Sequence, residues 1–282
     1  MATLHECAVL VSVNSSMPQM TAKDAAATHI AEEAMNAENI GRYTKDLYPK
    51  ALTAPIKNYI QALRLLVGKY GVPYGRNQWI VPNSMRLDLF NAAQQTQKQF
   101  NLAVDAFIIN FGQVLYAAQQ KQGDMFDKSL YPDASALRGE FELRLSFAPM
   151  PVYASLAIDE LGATFEQQML AQHDEALAAS VKDIAARIAK TISSISTKLH
   201  ERLDHGKQTR FHDNIASELE HIINVIPELN FTNDTRIAEI VAQCKSTLNV
   251  PIEVLKDGTD GTKRQILTDA DNILARMKAM GL

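Results

Sequence analysis

A stripe of apolar residues from Leu161 to Leu203 constrains this chain most. Leu161, Phe165, Met169, His173, Leu177, Val181, Ile184, Ile188, Ile192, Ile195, Leu199 and Leu203 advance 42 residues in 11 steps, about 3.8 per step. Residues spaced by threes and fours share one face of an α-helix. At about 1.5 Å per residue this helix extends roughly 65 Å, too long to hide inside one compact globule. Its stripe must therefore be covered by other protein. The step exceeds the 3.5 of a heptad, so the partner crosses or supercoils differently from a leucine zipper.

A second stripe offers itself as that partner. Phe90, Ala93, Gln97, Phe100, Val104, Phe107, Phe111, Leu115 and Ala118 advance 28 residues in eight steps, 3.5 per step. This predicts a coiled-coil-like helix over 84–122, closed by Gly123, with Gln97 its one fully polar seam position.

Around these rods, 7–14, 78–81 and 141–148 read as strands, the last by its alternation of apolar and polar residues. Thr21, with Asp24 three residues later, is the expected cap of a helix running to about Asn36. A helix over 54–70 follows, with Thr53 as cap and Pro55 in its first turn, stopped by Gly71 and Pro73. Beyond Gly206 come helices at about 213–226, 234–247 and 261–279, separated by Pro227, Pro251 and the Asp257-Gly258 turn. The expected fold is α+β and mostly α: a long antiparallel, coiled-coil-like helical hairpin with a small β-sheet at one end and a C-terminal set of short helices. The expected divisions are 1–158, holding the sheet and helix 84–122; 159–206, the long helix pairing with it; and 207–282, a C-terminal helical subdomain.

Composition narrows the function classes. Of 282 residues, 46% are hydrophobic and 21% charged, with 12 Gly and 10 Pro, which argues against fibrous and disordered chains. The net charge of −4 argues against a globally basic nucleic-acid binder. Cys7 and Cys244 form no disulfide framework and suit a reducing compartment. No apolar run approaches the ~18 residues of a membrane span, and the N-terminus does not read as a signal peptide. A reducing cytoplasm, with no membrane partner, is the expected setting.

No phosphate-binding glycine-lysine loop, dinucleotide fingerprint, nucleophile elbow or Cys-x-x-Cys occurs, so no catalytic residue, cofactor or metal ligand is assigned. His200, Glu201, His205, His212 and Asp213 cluster in sequence. On a helix, however, His200 and His205 stand about 140° apart and cannot share a ligand face. His173 reads as a core histidine.

Charge is more informative. Residues 42–86 hold eight basic side chains against one acid, Asp46, together with five tyrosines and the only tryptophan. Cations that hold phosphate, interleaved with rings that stack on bases, are what a single-stranded nucleic-acid groove requires. On this reading the candidates are Lys45, Lys57, Arg64, Lys69, Tyr74, Arg76 and Trp79. Against it, Tyr59 and Tyr70 fall on the apolar face of their own helix, and the C-terminal half of the chain carries an acidic excess. A second basic stretch, 182–210, reads as the wet side of the long helix.

Several features taken in order carry a resemblance. An opening strand holds Val11-Ser12-Val13. Thr44-Lys45 precedes Tyr48-Pro49, a helix ends in Gly71-x-Pro73, and a short strand closes on Val81-Pro82. After the long helix, Tyr131-Pro132 leads through Arg138 and Phe141 into Leu145-x-Phe147-x-Pro149. Over about residues 5–200 the chain resembles a bacterial and bacteriophage family known as a domain of unknown function. Its members are often encoded beside a MoxR-type AAA+ ATPase and a protein with a von Willebrand factor A domain. The resemblance carries no catalytic residue; it implies an ATPase-linked assembly, with those two proteins as partners. A non-enzymatic interaction or accessory protein is the first expectation, with self-association as a further option. The alternative is a nucleic-acid-binding accessory protein of phage replication or recombination.

Overall fold

A computed structural model describes residues 4–150, 160–206 and 214–282. The chain runs α1 (Leu4–Cys7), β1 (Ala8–Ser16), β2 (Thr21–Lys23), α2 (Ala25–Ala34), β3 (Thr44–Asp46), α3 (Lys50–Tyr70), β4 (Val72–Gly75) and β5 (Gln78–Pro82). It continues through α4 (Arg86–Ile109), α5 (Phe111–Gln122), α6 (Ala134–Leu137), β6 (Glu142–Pro149) and α7 (Glu160–Leu203). It ends in α8 (Asn214–Asn224), α9 (Ile226–Leu229), α10 (Thr235–Thr247), α11 (Ile252–Asp257) and α12 (Asp260–Ala279). The expected mostly helical α+β class is what the structure shows.

Four strands order as β4-β5-β1-β6, and β2 pairs with β3 in a separate two-stranded ladder. The antiparallel β4–β5 hairpin sets Val72 opposite Ile80 and Pro73 opposite Trp79. Pro73 and Gly75 interrupt the alternation expected of a strand, so β4 is invisible to pattern reading. Gly71, just before it, has a steric reason to be glycine. A Cβ there would lie 2.7 Å from the Ile80 carbonyl oxygen and 2.8 Å from Val81 Cγ2.

The described residues fall into two compact units interleaved along the chain, with β1, β6 and α3 running from one into the other. One unit takes 1–11, 68–86 and 147–282, and α7 is its spine. Ile184, Ile188, Ile192, Ile195 and Leu199 of α7 are almost wholly buried. α7 packs mainly along α12, and α8, α10 and β4 complete the cover. Each such side chain contributes roughly 1.5–3 kcal/mol over its exposed state.

The other unit takes 12–67 and 87–146. Ile56, Ile60, Leu63 and Val67 of α3 and Leu89, Ala93, Phe100, Val104 and Phe107 of α4 supply much of its core. Tyr48 meets Phe107 and Tyr131 edge-on, with ring centroids 5.7 and 5.5 Å apart. Gln97, the polar seam position, is half-buried and donates from Nε2 to the Leu143 carbonyl at 3.2 Å.

The long antiparallel hairpin expected from the two stripes is not shown. The described stretch of α7 is covered within its own unit, and α4 and α5 belong to the other. The period supplies a reason: buried positions on α7 from Ile184 to Leu199 step by 3.75, and those on α12 from Ile266 to Met277 by about 3.7. Both lie near the 3.6 of a straight helix and away from the 3.5 of a supercoiled one. The seam positions Leu161, Phe165, Met169 and His173 fall outside the described side chains.

Nor is 84–122 one rod. It bends by 68° between α4 and α5. Asn110 sits at the break with its Nδ2 donating to the Ala106 carbonyl at 2.8 Å, and the poor helix former Gly112 follows. The expected end does hold: Gly123 caps α5 at φ +55°, a conformation costly for other residues. Phe90, read as a seam residue, is exposed, and its neighbour Leu89 is buried instead.

At the N-terminal side, Thr21 is not a cap. Thr21–Lys23 pairs with Thr44–Asp46, and Asp24 caps α2, accepting from the Ala27 amide at 2.9 Å. α3 begins at Lys50, after Pro49, so Thr53 is buried inside it rather than capping it. The C-terminal helices α8, α10 and α12 lie within two residues of their expected limits.

Candidate functional site

The seven sequence candidates divide between the units. Lys45, Lys57 and Arg64 lie in the α3–α5 unit; Lys69, Tyr74, Arg76 and Trp79 lie in the α7 unit. Lys45 is nearly buried: its Nζ stands 3.7 Å from Asp24 Oδ2 and also donates to the Met125 carbonyl. It is committed to tying the β2–β3 ladder down and is not free to hold a phosphate.

Trp79 and Tyr74 are half-buried on the β4–β5 hairpin, and Tyr74 packs against the α7 core. Arg76 is exposed at the tip of that hairpin beside Asn77, which has φ +58°. Lys69 is exposed near His221 of α8. Burial, together with the charges of Arg187 and Lys69, pushes the His221 pKa down to about 4, so the ring is neutral at pH 7. Arg187 in turn donates to the Gly71 carbonyl at 2.9 Å.

The remaining pair, Lys57 and Arg64, does converge on a cleft. Lys57, Asn58, Gln61 and Arg64 form one stripe of α3, at spacings of three, four and seven residues that place them on one face. They face Ser15 and Ser16 at the end of β1 across an open cleft of about 530 Å³. Arg64 Nη2 donates to Ser15 Oγ at 3.2 Å, while its Nε is buried and has no hydrogen-bond partner. Ser16 Oγ donates to the Glu140 carbonyl at 2.8 Å. No carboxylate lines this cleft among the described residues. The helical stripe was legible as two cations seven apart; Ser15 and Ser16, 42 and 41 residues upstream of Lys57, were not.

The aromatics of 42–86 divide: Tyr48 lies in the core, Tyr43 is exposed, and Tyr59, Tyr70, Tyr74 and Trp79 are half-buried. Tyr48 is buried, with its pKa raised to about 12, chiefly by desolvation. Tyr131 donates its hydroxyl to the Leu47 carbonyl at 2.7 Å. Such rings cannot stack on a base.

A different surface carries the unburied apolar groups. Every large hydrophobic side chain exposed among the described residues, thirteen in all, lies in the α3–α5 unit. They include Ile30 and Met35 on or beside α2, a helix with no buried residue, and Leu52 and Leu65 on α3. On α4 and α5 they are Leu87, Phe90, Leu102, Ile109 and Tyr116, with Ile109 at 82% and Tyr116 at 65% exposure. The surface around them is poor in charge. Between Leu87 and Gln122 only Asp88, Lys98, Asp105 and Lys121 are charged, and the polar positions are mostly Gln and Asn.

His200, Ser196 and Cys244 are tied into structural roles. His200 Nδ1 pairs with Asp204 Oδ2 at 2.8 Å and its Nε2 with Asp271 Oδ2 at 3.2 Å. Ser196 donates to the other oxygen of Asp271 at 2.6 Å. The serine thus contacts the carboxylate and not the imidazole, so the base cannot activate it. The bond to Asp204 is the main cause that raises the His200 pKa. Burial pushes the Cys244 thiol up to about 12, leaving no thiolate near neutrality.

No group of histidine, cysteine and carboxylates with metal-binding geometry occurs among the described residues. No single helix among them is long and apolar enough to cross a membrane. The bent α4–α5 pair reaches the length and apolarity of a broken span, and Leu89, Phe100, Val104 and Phe107 on it are buried.

Comparison with protein-family profiles, curated proteins and solved structures finds no match to this chain.

Proposed function

We propose that this chain is a non-enzymatic interaction protein of the bacterial or phage-infected cytoplasm. Its contact surface is the outward side of α4 and α5. One observation carries this reading: the exposed large apolar side chains are confined to one of the two units. Single exposed apolar residues are ordinary on any surface. Thirteen on one unit, with aromatics present and charge sparse around α4 and α5, match the composition at the centre of protein–protein interfaces.

An AAA+ ATPase-linked assembly is the partner system that the family resemblance proposes. The test is co-purification of the full chain with a MoxR-type ATPase and a von Willebrand factor A protein, the usual neighbours in the family it resembles, comparing wild type with I109D/Y116D. Capture of either protein by wild type and at least tenfold weaker capture by the double variant is expected. Equal capture by both would place the contact elsewhere, and capture by neither would remove the assembly from the proposal.

A second reading, single-stranded nucleic-acid binding, is supported by the carboxylate-free cleft at Lys57 and Arg64. It predicts affinity that falls with salt and is lost on charge reversal of Lys57 and Arg64. Salt-independent or absent binding to oligothymidylate counts against it.

A further inference from the structure

We infer that the cleft between the end of β1 and the Lys57–Arg64 face of α3 is a binding site for a phosphate group. The central observation is the Arg64 guanidinium. One edge of that fork, Nε with Nη2, is the side that grips an oxyanion with two parallel hydrogen bonds. In Arg64 the Nη2 reaches Ser15 Oγ at 3.2 Å, and the Nε is buried without a partner. A buried donor left unsatisfied costs about 1–3 kcal/mol, more when it belongs to a charged group, so its persistence requires a reason. The Nε has no surface open to solvent as it stands, so a ligand oxygen meets this edge once the Arg64 side chain turns toward the cleft.

The rest of the lining agrees. Ser15 Oγ accepts from Arg64, which leaves the hydroxyl proton available for a ligand oxygen. Lys57, Asn58 and Gln61 line the same cleft and add an ammonium and two amide groups as further donors. Ser16 contributes less, because its hydroxyl proton is already given to the Glu140 carbonyl. Two cations without an acid favour a dianion, and donors from two elements arriving in different directions suit a tetrahedral oxyanion better than a planar carboxylate. The chemistry is common to a small phosphomonoester and to the backbone of a nucleic acid. The inference goes beyond the protein-contact reading and does not depend on it.

The test is titration of the full chain with inorganic phosphate and, separately, with single-stranded oligothymidylate, followed through the Arg64 Nε–H resonance and by calorimetry. Saturable phosphate binding that shifts this resonance is expected, weakened about tenfold or more in Arg64→Gln and less in Lys57→Gln. Lys98→Gln, outside the cleft, leaves it unchanged. Oligothymidylate that displaces phosphate identifies a nucleic-acid backbone as the source, and failure to displace it identifies a small phosphoester. If Arg64→Gln does not fold, Lys57→Gln and Ser15→Ala decide in its place. Undetectable binding of both probes, or equal binding by wild type and the cleft variants, overturns the site without touching the apolar surface of α4 and α5.

Discussion

The two units spend their apolar residues differently. In the α7 unit the isoleucines of the long helix meet those of α8, α10 and α12, and no large hydrophobic group is left exposed among the described residues. In the α3–α5 unit a core of similar chemistry sits beneath a surface that still shows Leu102, Ile109 and Tyr116 to water. The first arrangement is complete by itself. The second keeps unburied area, at roughly 25 cal/mol per Å², that association can still remove from water. A long amphipathic helix is therefore a poor guide to where a protein meets others once its stripe is already covered.

This contrast can be broken by measurement. The largest effect is expected at the spine: Ile192→Ala should cost about 2–5 kcal/mol in denaturant unfolding, because the fully buried site leaves a cavity. A cost below 1 kcal/mol would mean that the α7 core is not closed. Gly71→Ala comes next, at about 1–3 kcal/mol, because the methyl would meet the Ile80 carbonyl oxygen at 2.7 Å. An unchanged melting midpoint would show that the hairpin yields freely.

Acid should then act on the α7 unit through His221. Its folded pKa, about 4, lies below the unfolded value near 6.5, so the unfolded chain binds more protons between those pH values. Stability is retained above pH 6.5 and falls as pH drops toward 4. His221→Gln should flatten that slope, and an unaltered slope would exclude His221 as its cause. His200 acts in the opposite sense. Its raised pKa means that its contribution is present below the unfolded value and is lost as pH rises through the folded one.

Asp24→Ala, which removes the α2 cap, should cost about 1 kcal/mol. The smallest stability effect belongs to the exposed face: Ile109→Gln should change unfolding by less than about 0.5 kcal/mol while weakening partner capture. A large stability loss there would show that Ile109 supports the fold.

Much of this architecture was legible because its signals are local. Stripes of threes and fours, with Gly123 and Pro251 as stops, located α10, α12 and the end of α5 within two residues. The misses were local signals outcompeted by other contacts. Thr21 has the chemistry of a cap, but its backbone is taken by pairing with Asp46, and the cap falls to Asp24. The 3.5-residue seam runs unbroken through Asn110, because periodicity does not register a side chain competing for the Ala106 carbonyl.

The candidate site was legible only in part. Lys57 and Arg64 share one helix face, a relation sequence spacing encodes. Ser15 is brought to them by the packing of β1 near α3, which no spacing records. The excess of basic and aromatic residues over 42–86 counts composition along a line. Folding then sends Lys45 to Asp24, Tyr48 into an aromatic core, and Lys69 through Trp79 into the other unit.

By itself the sequence determined the long helix and its need for cover, because a continuous apolar stripe exposed to water is too costly to leave bare. Only the tertiary structure decided that α12, α8 and α10 supply the cover while α4 and α5 show apolar side chains to solvent. Apolar attraction has no direction, so the choice among partners of equal greasiness is made by how straight helices fit together and not by the composition of either stripe.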